Sequence, residues 1–566
     1  HHQDPYMVKR EGGRSTELDP VRMDQLDYLV FCLKQRGIYI VSDLYVSRHL
    51  EVGEIPEFPG QRVWQETFKP LLFVLDSVME NWKRFTANWL NHRNPYTGLT
   101  WKEDPALVSV SLVNEDTLSV YWNRTPEVAA LYRKRFEQWK SEQGISDGIA
   151  SSQDPVFSRF LRELYDSRFQ EMKKFVRDLG LRCMISDQNF LTSPTLTMMR
   201  RQYDFVENHF YWDHPEFLGG WWKYPAAHTN LSSISRYAAA PGVLFGARIF
   251  GRPFLVTEFD FAAPNAFRAE GGVLTGAYAA LQDWDGIFQF VHYQPQKAVA
   301  WHFDSSSDPV KSLSLRIGAA LFLPGGVAPA EQKFAVDYSK RAWCDFGERD
   351  SSELNRLGLM AQVGSIFALE KGVVTVRPDR TLLQDLQARK LLRPGQWNPA
   401  EERFADASGS VVLDRRRGIF EVCSSGGEAV VLPPGSSGGK GVFEVKNRVG
   451  RGVFACLPCD RLPLADSKRI LILHLTDALP EGTRFADRKR NRLEAWGGPG
   501  WLAARGEATI RLRLRNALED CRLYAVSPAG RRIGELKPEI NDGVIQFEAN
   551  VFSSYGTVFA YELTRK

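Results

Sequence analysis

Two glutamates stand where short apolar runs end, and paired carboxyls are the groups that glycosidic-bond chemistry requires. The first run, Pro105 to Leu118 (PALVSVSLVNEDTL), closes in Asn114, Glu115 and Asp116, and the second, Phe254 to Phe261 (FLVTEFDF), carries Glu258. Hydrolysis of a glycoside with retention needs one carboxyl that protonates the leaving oxygen and one carboxylate that attacks the anomeric carbon. Such pairs stand roughly 5 Å apart. Strands that deliver polar side chains at their C-terminal ends are the positioning elements of a β/α barrel, so strand and helix should alternate around these two runs.

They do so over the first 325 residues. Apolar residues at helical spacing from Leu26 to Gln35 precede Gly37 and the strand-like Ile38 to Tyr45 (IYIVSDLY). A helical pattern runs from Glu66 to Asn91, and a turn from Asn94 to Trp101 leads into the first key run. Thr125-Pro126, Asp154-Pro155 and Ser193-Pro194 read as N-caps followed by proline at the first helical position. Leu181 to Asn189 and Asp204 to Pro215 read as further strands, Ser232 to Ala240 as helix, and Glu270 as loop or cap. Gly272 to Asp283 reads as helix, Gly286 to Tyr293 as strand, and Asp308-Pro309 opens a last helix to about Leu323. Six strands are counted where a closed barrel needs eight.

This pattern resembles the large clan of retaining TIM-barrel glycoside hydrolases that includes the family 5 and family 42 enzymes, the β-galactosidases and the β-mannosidases. The resemblance rests on LVNED and VTEFD together with the preceding NPYTGLTWKEDPAL, and covers roughly residues 1–325. It implies a (β/α)8 barrel in which the visible strands are the third to the eighth. It also implies an upstream segment supplying the first two strands. On this reading His1, His2 and Asp4 are the tail of the second strand, the other reading being a purification-tag remnant.

The resemblance further implies that Glu115 is the general acid/base, Glu258 the nucleophile and Asn114 the partner of the sugar 2-hydroxyl. His209 and Tyr211 fall where the clan keeps a donor beside the nucleophile. Asp43, Tyr45 and Asn189 are candidates for the sugar rim, and Trp301 or Tyr293 for the platform beneath the sugar. Trp212, Trp221, Trp222, Tyr224, His228 and Trp284 form an aromatic population suited to the apolar faces of sugars, or to packing over helices.

Beyond residue 325 the grammar changes. Residues 326–400 mix short helices (Ser352 to Leu359, Leu382 to Lys390) with extended pieces as an accessory region. From 401 short alternating strands bounded by Gly, Pro and Ser read as an all-β domain over 401–490 and a β-sandwich over 491–566. The fold class expected is therefore multidomain, a TIM barrel followed by C-terminal all-β sandwich domains.

Composition narrows the partners. With 72 basic and 68 acidic residues the net charge is only +4 over 566 residues, and the charges are mixed, which argues against a nucleic-acid binder. The basic clusters Arg415 to Arg417 and Arg488 to Arg490 read as solvated turns. No apolar run is long enough for a membrane span. Seven scattered cysteines do not make a disulfide framework, and Cys456-Cys459 is a lone CxxC where zinc needs about four ligands. No metal or organic cofactor is expected, and a homo-oligomer is compatible with the pattern. Three functions remain: an exo-acting β-galactosidase or β-mannosidase, an endo-acting β-glucanase or β-mannanase, and a non-catalytic carbohydrate-binding protein.

Overall fold

A computed structural model of the chain describes residues 4–9, 14–220, 222–293, 300–338, 345–346, 351–366, 372–515 and 520–565. His1, His2 and Trp221 lie outside the described residues. Asp4 opens a short helix, Asp4–Met7, and accepts hydrogen bonds from the backbone of Val46 and Ser47.

Six parallel strands form the first unit. Ile40–Asp43, Leu107–Ser111 and Met184–Ser186 pair in that order, and Val206–Trp212, Phe254–Phe261 and Gly286–Gln289 pair in theirs. Between the two groups the ladder gives way to single backbone bonds, Asp204 N–H to Ile185 O and His209 N–H to Asn189 O, each 2.9 Å. The caps read from the sequence are all made. Thr125 accepts from Val128 N, Asp154 from Val156 and Phe157 N, and Ser193 from Leu196 N, starting the helices Pro126–Gln143, Pro155–Asp178 and Pro194–Arg200.

Two helical expectations are corrected. The pattern from Glu66 to Asn91 is two helices, Gln65–Val74 and Asp76–Leu90, because Leu75 is extended at φ −124° and ends the first. Ser232 to Ala240 yields only the short turns Ile234–Arg236 and Ala239–Gly242, with Tyr237 and Ala238 left-handed between them.

Glu270 is also not a loop residue. It begins the fully buried helix Glu270–Leu281, and its carboxylate meets Ser232 and Arg451. That helix lies against Pro309–Phe322 at a distance only glycine permits. A Cβ on Gly272 would stand 1.8 Å from Ser314 O, and one on Gly276 would stand 2.3 Å from Gly318 O.

Residues 326–400 hold a small parallel sheet, with Lys333–Val336 between Gln362–Ser365 and Val373–Val376. The division at residue 490 does not hold. Arg469–Leu475 pairs with Ala560–Thr564, and Phe443–Val449 pairs with Glu507–Arg513, so both segments share a ten-stranded and a five-stranded antiparallel sheet. A sandwich pairs strands distant in sequence, which local patterning does not record.

One hairpin leaves the sandwich. Arg484–Phe485 and Arg492–Ala495 extend a sheet through Ala226–Ala227 to Glu216–Phe217, in the segment following Val206–Trp212. Neither basic cluster is simply a solvated turn. Arg490 at the hairpin tip donates to Asp477 and to Pro264 O, while Arg415 donates to Glu402 and Ser235 O. Among the described residues no helix is long and apolar enough to cross a membrane.

The helix contact gives a direct test. Gly276→Ala forces the two helices apart and should lower stability by about 1–3 kcal/mol, an overpacking cost, read from chemical denaturation against wild type.

Candidate active site

In the loop after Leu107–Ser111 the four backbone N–H groups of residues 112–115 are tied. Leu112 donates to Ser186 O (3.0 Å), Val113 to Asp187 Oδ1 (3.0 Å), Asn114 to Tyr45 O (2.8 Å) and Glu115 to Asn189 Oδ1 (2.8 Å). Glu115 adopts φ +53°, the left-handed region that side-chain-bearing residues avoid, and Lys69 Nζ donates to its carbonyl at 3.3 Å. The flanking strand ends thus hold the loop that aims the carboxyl.

Glu258 comes from inside Phe254–Phe261, in register with His209. One carboxylate oxygen of Glu115, one of Glu258 and a His209 nitrogen lie within 4.8 Å of one another. His209 Nδ1 is 3.1 Å from Glu115 Oε1 and 3.7 Å from Glu258 Oε2, and its Nε2 faces Thr257 Oγ1 at 3.1 Å. The Tyr211 hydroxyl donates to Glu258 Oε2. Glu258 and His209 are buried, while the Glu115 side chain keeps 25% of its surface in contact with solvent.

Burial alone would lower the His209 pKa. The negative charge of Glu258 and the hydrogen bond to Glu115 outweigh it, so the imidazole is held above its ordinary value. Burial, and then the charge of Glu258, pushes the Tyr211 phenol well up, which keeps it a donor. Burial lowers His214, whose ring packs on Tyr211 and Phe303.

Two carboxylates and an imidazole are donor types that a divalent cation accepts. Here each is already engaged: Glu115 with His209, Glu258 with Tyr211, and His209 with Thr257. Cys456 is buried and Cys459 exposed, and neither joins a ligand cluster among the described residues.

The remaining candidates divide. Asn114 is buried beside Glu115 with an unpartnered Oδ1 among the described residues. Trp301 stacks on Trp222 with ring centroids 5.2 Å apart and meets Phe303 at 4.9 Å, which in turn lies 5.5 Å from Tyr211. Tyr293 is exposed. Asp43 is buried near Glu207, whose carboxyl is raised by burial and then by the Asp43 charge.

Two of the residues expected at the sugar rim, Tyr45 and Asn189, and one of the aromatic population, Trp212, turn elsewhere. Tyr45 is fully buried, stacked on Phe68 and donating to Arg48 O. Asn189 is fully buried and turned to the Glu115 backbone. Trp212 follows Tyr211 in the strand, so the period-two alternation sends it to the other face, where it packs on the main core and donates to Leu231 O. Asp260 accepts from Lys311 and Gln289, and burial raises it to about 6 against the Lys311 charge.

Thr257, Phe303 and Lys69 were not singled out from the sequence. Thr257 precedes Glu258 in VTEFD and Phe303 follows Trp301 by two, so adjacency was the available signal. Lys69 had none.

No family model and no curated protein matches the chain. Solved structures similar to it include glycoside hydrolases. The endo-1,4-β-D-mannanase from Thermotoga petrophila RKU-1 is 12% identical, covering 56% of this chain and 84% of that one at a TM-score of 0.33. The family 5 mannosidase from Rhizomucor miehei is 13% identical over 56% and 80%, at 0.31. The cold-adapted β-galactosidase from Rahnella sp. R3 is 13% identical over 98% and 91%, at 0.37.

The imidazole supplies a pH test. Glu258→Gln removes the largest influence raising the His209 pKa, so the His209 titration followed by NMR should move to lower pH than in wild type. Because the folded pKa is raised, His209 contributes stability that is fully present below its unfolded value of about 6.5 and is lost as pH rises through the folded value. Denaturation midpoints of His209→Gln and wild type should therefore converge with rising pH.

Proposed function

We propose that this chain is a retaining β-glycosidase whose six parallel strands are those of a β/α barrel. The observation that carries the reading is the approach of Glu115 and Glu258, with oxygens within 4.8 Å. Retaining pairs stand roughly 5–5.5 Å apart, whereas inverting pairs leave roughly 6.5–9.5 Å for a water.

Glu115, partly open to solvent, protonates the glycosidic oxygen as the bond to the anomeric carbon breaks, and a Glu258 oxygen forms the ester to that carbon. Water then gives a proton to Glu115 and its oxygen displaces Glu258. Tyr211 fixes the Glu258 carboxylate, and Asn114, buried beside Glu115, bonds the sugar 2-hydroxyl in this reading. His209 spans both acids. No metal or organic cofactor enters these steps.

The leading substrate class is a terminal β-galactoside or β-mannoside. The stacked Trp222 and Trp301 favour a second reading, in which the indoles carry further units of a β-linked chain and the enzyme acts internally. Product sizes at early times separate the two, since an exo-acting enzyme releases only small sugars.

Glu258→Ala should abolish turnover of activated aryl β-glycosides. Azide should restore it and yield the α-glycosyl azide by direct displacement. Unchanged turnover in this variant would refute the assignment. Sugar binding by calorimetry without turnover on a broad glycoside panel would favour a carbohydrate-binding protein instead.

A further inference from the structure

We infer that Asn189 is a positioning residue that sets the acid/base Glu115 through its backbone. This inference rests on the role proposed for Glu115.

Asn189 ends the segment after Met184–Ser186, where the ladder between the two groups of parallel strands has given way to single bonds. It bridges that break twice. Its carbonyl accepts the N–H of His209 at 2.9 Å, and its side-chain Oδ1 accepts the N–H of Glu115 at 2.8 Å. The Glu115 N–H can only donate, which assigns the acceptor end of the amide to it. One residue therefore fixes the carboxyl-bearing backbone and the imidazole that faces the same carboxyl.

Glu115 needs such a tie. At φ +53° its backbone sits in a region that persists only where the surroundings over-determine it. A relaxed φ would swing the side chain away from His209 and Glu258. The fully buried Asn189 is not placed to meet a sugar, so its effect on catalysis passes through Glu115.

The expected signature is a dependence on leaving group. Acid assistance matters most when the departing oxygen is a poor leaving group. Asn189→Ala should therefore lower kcat/KM on phenyl glycosides by roughly 10–100-fold, part of the 10²–10⁴ that general acid catalysis supplies. Formation of the glycosyl-enzyme from 2,4-dinitrophenyl glycosides should change by about twofold at most. Asn189→Asp keeps the acceptor and should restore most of the loss. Asn189→Ser, polar but one bond too short, serves if the alanine variant does not fold.

Hydrogen exchange across 112–118, read by mass spectrometry, reports the tie without any turnover. Protection should fall in the alanine or serine variant and return in Asn189→Asp. Equal losses on both leaving groups, or unchanged exchange, would overturn the inference. Glu115→Ala run in parallel isolates the underlying role: if it lacks the steep leaving-group dependence, the assignment of Glu115 fails, whereas if only the Asn189 variants lack it, the positioning inference fails.

Discussion

Two carboxyl groups held within 4.8 Å in a partly dehydrated site repel one another, and the surrounding structure answers that repulsion. Tyr211 donates to one, His209 stands against both, and Thr257 closes the far side of the imidazole. All three come from adjacent strands, so the electrostatic solution depends on the register that sets His209 opposite Glu258. A one-residue slip of Phe254–Phe261 would turn Glu258 to the opposite face, away from His209 and Tyr211.

The two acids are supported in different ways. Glu258 lies inside a strand whose ladder orients it. Glu115 lies four residues beyond a strand, and its aim comes from side chains and loop carbonyls that capture the backbone of 112–115. Asp187 and Asn189, buried acceptors on the next segment, do for that loop what a neighbouring strand does for Glu258. Polar groups so deep are costly unless paired, and here their acceptor oxygens are paired with the loop backbone.

How much of this was legible follows from range. Phe254–Phe261, the N-caps at Thr125, Asp154 and Ser193, and the strands after residue 401 were readable because their signals are local: alternation, and a cap beside a proline. Glu115 and Glu258 could be paired from the apolar runs that carry them, although Glu258 proves to lie inside its strand and Glu115 four residues past its own, while His209 and Tyr211 came from the family resemblance. Tyr45 and Asn189 lie just past strand ends, where alternation stops predicting direction, and the structure turns both inward. Leu75 breaks a helix by its backbone conformation, unmarked by proline or glycine. The shared sandwich sheets join residues about a hundred positions apart, beyond any pattern of neighbours.

The hairpin Arg484–Ala495 bears on modularity. Its pairing with Ala226–Ala227, the Arg490 contact with Pro264 and the approach of Trp496 to His302 at 5.3 Å make the sandwich part of the wall around the aromatic loops. A fragment cut before the sandwich would keep Glu115 and Glu258 in its sequence while exposing the edge of Ala226–Ala227 and unseating the loop that carries Trp222. The C-terminal region is thus not a detachable appendage, and exchanging it would alter the packing around the loops that carry Trp222 and His302.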